Sequence, residues 1–114
     1  MAEITPLPGP TPSPSTGQVS FNRLELDRIL SLYGRMVAAG HWKDYALELG
    51  KDRASFCGFR RAAENPEARI VKDPALRNRQ GEWILYGEGG IVLKRGQELA
   101  SVLAPLERRL LKTV

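Results

Sequence analysis

The chain has one cysteine and one histidine, and that scarcity removes whole classes of chemistry. A lone cysteine excludes an internal disulfide. With a single histidine and no Cys-x-x-Cys spacing there is no ligand set for a tetrahedral zinc site. Long apolar runs are lacking too: the longest are a handful of residues, against the roughly twenty that span a bilayer, so no membrane partner is expected. Residues 1–17 hold five of the eight prolines and one charge, Glu3. They lack both the basic start and the apolar run of a secretory signal. A reducing, cytoplasmic setting fits these features.

Acid–base groups suited to catalysis are also few, and the expectation is a non-enzymatic protein with no catalytic residue, metal or cofactor. Cys57, between Phe56 and Gly58, reads as a small core residue, because free cysteine is among the most buried types. His41 follows a glycine that can close a helix. It reads as a group covering the last carbonyls of that helix, since no second base is tied to it by spacing. Glu64 and Glu67 flank Pro66 and read as a solvated turn beside Arg60, Arg61 and Arg69. Gly87, Gly89 and Gly90 invite comparison with a phosphate cradle, but that device runs from a strand into a helix N-terminus, whereas here a strand follows. Residues 55–61 combine aromatics and arginines as an RNA-recognition strand does. No helix is expected between the strands, however, so Phe56 and Phe59 are read as packing residues.

What the chain does have is an uneven charge distribution. Residues 53–79 carry seven basic side chains against three acidic ones, and the remainder balances at ten against ten, so the net +4 lies in one central stretch. Guanidinium groups bind phosphate and carboxylate in bidentate fashion. Arg60, Arg61, Arg69, Lys72, Arg77 and Arg79 are therefore the candidate anion-binding residues. If residues 54–60 form a strand, Arg60 and Arg61 fall on opposite faces, and one of them must snorkel past the covering helices or pair with a carboxylate such as Glu64.

Patterning supplies the architecture. Residues 1–19 form a proline-rich tail that cannot bury enough apolar surface to fold, and residues 20–114 form one domain. Asn22 and Glu25 have capping-box spacing, with Phe21 and Leu26 as a hydrophobic staple. Leu26, Ile29, Leu30, Tyr33, Met36 and Val37 then recur at helical spacing, up to Gly40. Beyond Gly40 the period falls to two: Tyr45, Leu47 and Leu49 alternate with Asp44, Ala46 and Glu48. Further strands are expected at 54–60, 69–72, 82–86 and 91–94, the last two as a hairpin around residues 87–90. Leu99, Val102, Leu103, Leu106 and Leu110 share one arc of a final helix, and Pro105 should bend or break it. The fold class is α+β: a mainly antiparallel sheet of about five short strands flanked by an N-terminal and a C-terminal helix.

Residues 29–40 (ILxLYGRMVAAG), Trp42-x-Asp44-Tyr45-Ala46, Phe59-Arg60-Arg61-Ala62-x-Glu64-x-Pro66, Arg69-Ile70-x-Lys72 and Leu93-Lys94-Arg95-Gly96 together resemble an alphaproteobacterial domain-of-unknown-function family, family 2794. The resemblance implies one compact bacterial domain and brings no activity. The leading reading is a binding or adaptor module that presents an arginine-lined sheet surface to nucleic acid or an acidic protein. The alternative is a self-associating protein, a homodimer, that uses Tyr33, Trp42, Trp83, Tyr86 and open sheet edges as its interface.

Overall fold

The computed structural model describes residues 18–61 and 65–112; the proline-rich tail up to residue 17, and Glu64, lie outside the described residues. The elements run α1 (Arg23–Ala38), β1 (Asp44–Leu49), β2 (Ala54–Phe59), β3 (Ala68–Lys72), β4 (Trp83–Tyr86), β5 (Val92–Gly96) and α2 (Leu99–Lys112). Gln18 and Val19 are held to the β1–β2 turn. The Gln18 side-chain amide donates to the Leu49 carbonyl at 3.0 Å, and the Val19 N–H donates to Gly50 O at 2.8 Å.

Helix α1 starts and stops where its caps require. The Asn22 side chain accepts from the Glu25 N–H and the Glu25 carboxylate accepts from the Asn22 N–H, both at 2.8 Å, which is the reciprocal capping box. At the other end Gly40 takes a φ of +85°, its N–H donates to Val37 O, and the His41 N–H donates to Met36 O. These two bonds are the Schellman closure that glycine permits. The buried stripe of α1 is Ile29, Leu32 and Met36, and this corrects the expected face. Leu30 and Val37 stay exposed because the apolar arc is wider than the sheet's line of contact, and the sheet takes the side of the arc that includes Leu32.

The five strands form an antiparallel meander in sequence order. Phe56, Ile70 and Leu85 are neighbours across β2, β3 and β4. With Trp83 and Ala68 they form the face on which Ile29, Leu32 and Met36 of α1 and Leu99, Val102, Leu103 and Leu106 of α2 pack. Trp42, from the α1–β1 connection, closes this core against Gly58. A Cβ at Gly58 would lie 2.8 Å from the indole ring. Gly58→Ala should therefore displace Trp42 and cost about 1–3 kcal/mol in denaturant unfolding; an unchanged midpoint would show that the indole moves freely.

Helix α2 runs unbroken through Pro105, so of the expected bend or break the break does not occur. The proline removes one backbone bond, but buried residues on both sides of it are held on the same sheet face. Strand β2 ends at Phe59, one residue before the expected limit, so Arg60 and Arg61 lie outside the strict alternation and are not split across the sheet by it. The β4–β5 tip turns through Gly89 and Gly90, both at positive φ.

Candidate anion cleft on the uncovered sheet face

Both helices lie on one face of the sheet, so the side chains of opposite parity define a second face that, among the described residues, no helix covers. Two cross-strand rows of residues occupy that face. One is Glu48, Ser55, Val71, Ile84 and Arg95; the other is Ala46, Cys57, Arg69, Tyr86 and Val92. Ser55, Cys57, Val71 and Ile84 are nevertheless buried. They are short or branched residues, and long ones, Arg69, Tyr86 and Arg95, stand beside them in the same rows. The stems of such side chains cover apolar surface while their polar heads stay near water. Burial raises the Cys57 thiol pKa above its usual value, with the Arg69 charge opposing that rise. The thiol is thus kept protonated and unreactive.

A cleft of about 490 Å³ opens on this face. Ser55 and Val71 lie among its lining residues with Arg53, Arg69 and Tyr86, and the β2–β3 connection (Asn65, Pro66) and the β4–β5 tip (Gly87, Gly89, Gly90) complete it. Its two cations are loosely held. Arg69 donates to Glu48 at 3.0 Å, a pair in which the carboxylate is 60% exposed. Arg53 is 57% exposed, and its contact with Asp73 is 3.9 Å, too long for a hydrogen bond. Exposed pairs of this kind contribute little and exchange readily for a better-placed anion.

The six candidate basic residues separate in space. Arg69 lines the cleft. Lys72 points to the helix-covered side, where it donates to Glu25 at 2.7 Å and to the Ser20 carbonyl at 3.1 Å and stands over the Trp83 ring. Arg77 is bound to Glu82 at 3.0 Å, and Arg79 is an exposed residue of the same β3–β4 connection. Arg60 contacts Glu67 and Glu88, each at 3.4 Å, and Arg61 is exposed. Of the candidate interface aromatics, Trp42 and Trp83 are core residues at 1% and 3% exposure, because both fill the space between helices and sheet. Tyr33 is half-buried and packs edge-on to Tyr45 and Phe56; burial raises its phenol pKa, followed by the Asp44 charge. Tyr86 lines the cleft. Sequence reasoning missed Arg53 and Ser55 as cleft residues. The period-two spacing of Arg53, Ser55 and Cys57 places them on one face, but only the β2–β3 register brings Arg69 to that face.

Glu67 also departs from expectation. It is not on a solvated turn but is 9% exposed. Its carboxylate accepts from Trp42 Nε1 at 2.7 Å and from both Arg109 nitrogens at 2.7 and 3.2 Å; Arg109 in turn lies 3.2 Å from His41 Nδ1. Burial alone would raise the Glu67 pKa, but the hydrogen bonds from Arg109 and Trp42 and the charges of Arg109 and Arg60 hold it below the usual carboxylate value. This cluster ties α2 to the β2–β3 connection and to the end of α1. Its backbone cap and this arginine contact account for His41. Among the described residues no group of three or more His, Cys, Asp or Glu side chains is arranged to hold a metal, and no helix is long and apolar enough to cross a membrane.

The model of a family described as a protein of unknown function, DUF2794, matches residues 19–103. The chain belongs to this family. Its matched stretch takes in α1, the whole sheet and every cleft residue, leaving out the last part of α2. No curated protein and no solved structure matches the chain.

Proposed function

We propose that the protein is a non-enzymatic, cytoplasmic binding module that takes an anionic group of its partner, a nucleic acid or an acidic protein, on the uncovered sheet face. The supporting observation is the cleft between Arg53 and Arg69, where among the described residues one guanidinium has no hydrogen-bonded carboxylate and the other only an exposed one. Desolvated against Val71 and Pro66, a bound anion would interact with these cations more strongly than it would at an open surface. Titration of fluorescent single-stranded DNA and of an acidic peptide at low and moderate salt tests the reading. Binding should weaken as salt rises. Arg53→Glu with Arg69→Glu should abolish it, whereas Arg28→Glu on the exposed side of α1 should leave it unchanged. Equal loss in both variants would point to a diffuse charge effect and sink the cleft assignment.

A second reading, self-association, has its own support. The edge strands expose Tyr45, Leu47 and Leu49 on β1, and Val92 and Leu93 with the adjoining Ile91 at β5. Unpaired strand edges with apolar side chains are templates for pairing with a second copy. Light scattering across a concentration series decides it: mass should rise toward that of a dimer, and a constant monomer mass overturns it.

A further inference from the structure

The edge strand β1 and the flank of α1 beside it carry apolar surface that the fold does not use. Leu30, Tyr33 and Val37 lie at positions i, i+3 and i+7 of α1, on one stripe of the helix. The ring centroids of Tyr33 and Tyr45 are 4.9 Å apart, so this stripe looks toward β1. Arg35, on the opposite flank, pairs with Glu107 of α2. Tyr45, Leu47 and Leu49 continue the stripe on the helix side of β1, across from Gly58, Phe56 and Ala54 of β2, and all three stay exposed at the sheet's edge.

The backbone is open at the same edge. The Gly50 N–H donates to Arg53 O, and bonded and non-bonded positions alternate along an antiparallel pair. Ala46 and Glu48 therefore bond to β2, while Tyr45, Leu47 and Leu49 aim their N–H and C=O outward. Two of the outward groups are met locally, the Tyr45 N–H by Asp44 Oδ1 and the Leu49 C=O by the Gln18 amide. Among the described residues no strand lies on the outer side of Leu47. The other edge, β5, is protected in the usual ways, by Lys94 and Arg95 and by a register shift at Leu85 and Tyr86. Strand β1 has neither a basic residue nor a register shift.

Charge selects both the partner and the register. When β1 is laid antiparallel on a copy of itself with Leu47 opposite Leu47, Tyr45 meets Leu49, Ala46 meets Glu48, and no two acids face each other. A slip of the pairing in one direction sets Glu48 opposite Glu48, and in the other Asp44 opposite Glu48; like charges directly opposite are destabilising. A slip of odd parity sets the apolar row against the polar one. We infer that β1 pairs with β1 of a second copy about a two-fold axis at Leu47, joining two five-stranded sheets into one with the apolar flanks of both α1 helices beside the joint. The inference rests on the self-association reading and narrows it to one edge and one register. Residues opposite each other in such a pair point to the same side, so the helices of both copies lie on one face of the joined sheet and both anion clefts on the other.

Light scattering of the full chain across a concentration series, with Leu47→Lys and Val92→Lys, tests it. The parent should dimerise. Leu47→Lys should raise the dissociation constant about ten-fold or more, because it sets two like charges on the axis, and Val92→Lys should leave it unchanged. An unchanged constant in Leu47→Lys, or a loss in Val92→Lys as large, overturns the β1 assignment and leaves self-association standing; a constant monomer mass removes both. Oxidation of Leu47→Cys should give a disulfide-linked dimer, and Cys57 does not compete because it is buried. Tyr45→Cys and Leu49→Cys should give none, since each lies about 13 Å along the strand from its own counterpart. Cross-linking at position 45 or 49 in place of 47 overturns the register. If Leu47→Lys fails to fold, Leu47→Cys substitutes for it, and a dimer that does not cross-link there overturns the inference. A Leu47 amide protected from hydrogen exchange equally at every concentration in a monomer gives the edge to residues 1–17, which precede Gln18 beside Leu49, and overturns it as well.

Discussion

Glu67→Ala should lower the unfolding free energy by about 3 kcal/mol, because the substitution removes the acceptor shared by Trp42 and Arg109. The Trp42 indole N–H is inside the core and cannot find water, so its 2.7 Å bond has no substitute. Arg109 is 37% exposed and can partly rehydrate, which keeps the loss below that of a fully enclosed pair. Glu67→Gln separates the two contributions. Its amide oxygen can still accept from Trp42, whereas the charge that holds Arg109 is gone, so about half the loss should remain. The same carboxylate sets an acid limb of stability. Its folded-state pKa lies below the unfolded value near about 4.3, so its contribution is complete above that value and is lost as pH falls through the folded-state pKa. Urea midpoints measured downward from neutral pH should fall less steeply below about pH 4 in Glu67→Gln than in the parent. Parallel curves, or a cost under about 1 kcal/mol for Glu67→Ala, would show that the cluster adds little to the fold.

Gly81→Ala should be at least as damaging. Gly81 sits just before β4 with φ at +107°, a conformation that side chains of L-residues rarely adopt. An added Cβ would meet the carbonyl carbon and oxygen of Gly96 at 2.6 Å. Those atoms are backbone at the end of β5, so no rotamer change relieves the overlap, and the β4–β5 pairing at Trp83 and Gly96 must give way. Backbone strain and overlap together should cost about 3 kcal/mol or more. Gly90→Ala at the β4–β5 tip is the matched control. Gly90 also has a positive φ, but a Cβ there meets nothing within 4 Å, so strain acts alone and the loss should be about 1–2 kcal/mol. Equal losses at the two sites would mean that the Gly96 contact carries no weight.

Local signals were legible where chemistry and geometry are read within a few residues. Asn22 with Glu25 marks the start of α1, Gly40 marks its end, and period-two patterning separates the strands from the helices. The short connections were enough to imply an antiparallel sheet with a helix at each end, and the order of strands is the simplest meander. Cys57 is buried, as its neighbours imply.

The features that depend on distant residues were not legible in that way. Which side of α1 packs is settled by the sheet, so Leu32 is buried while Leu30 and Val37 are not. Whether Pro105 breaks a helix depends on the packing of Leu103 and Leu106 around it, not on propensity. A cluster of arginines in sequence is not a cluster in space. Arg69 and Lys72 are three residues apart on one strand and therefore face opposite sides of the sheet, whereas Arg53, just before β2, and Arg69, on β3, line one cleft because the β2–β3 register brings them to the same face. Glu67 illustrates the same point. Its sequence neighbours indicated a wet turn, and its partners Trp42 and Arg109 come from the α1–β1 connection and from α2. The amino-acid sequence by itself determined the elements, their order and the net charge, because these follow from bonds and patterns a few residues long. The tertiary structure decided which charges are neutralised and which remain available on the uncovered face, because an ion pair depends on distance in space, and strand register sets that distance.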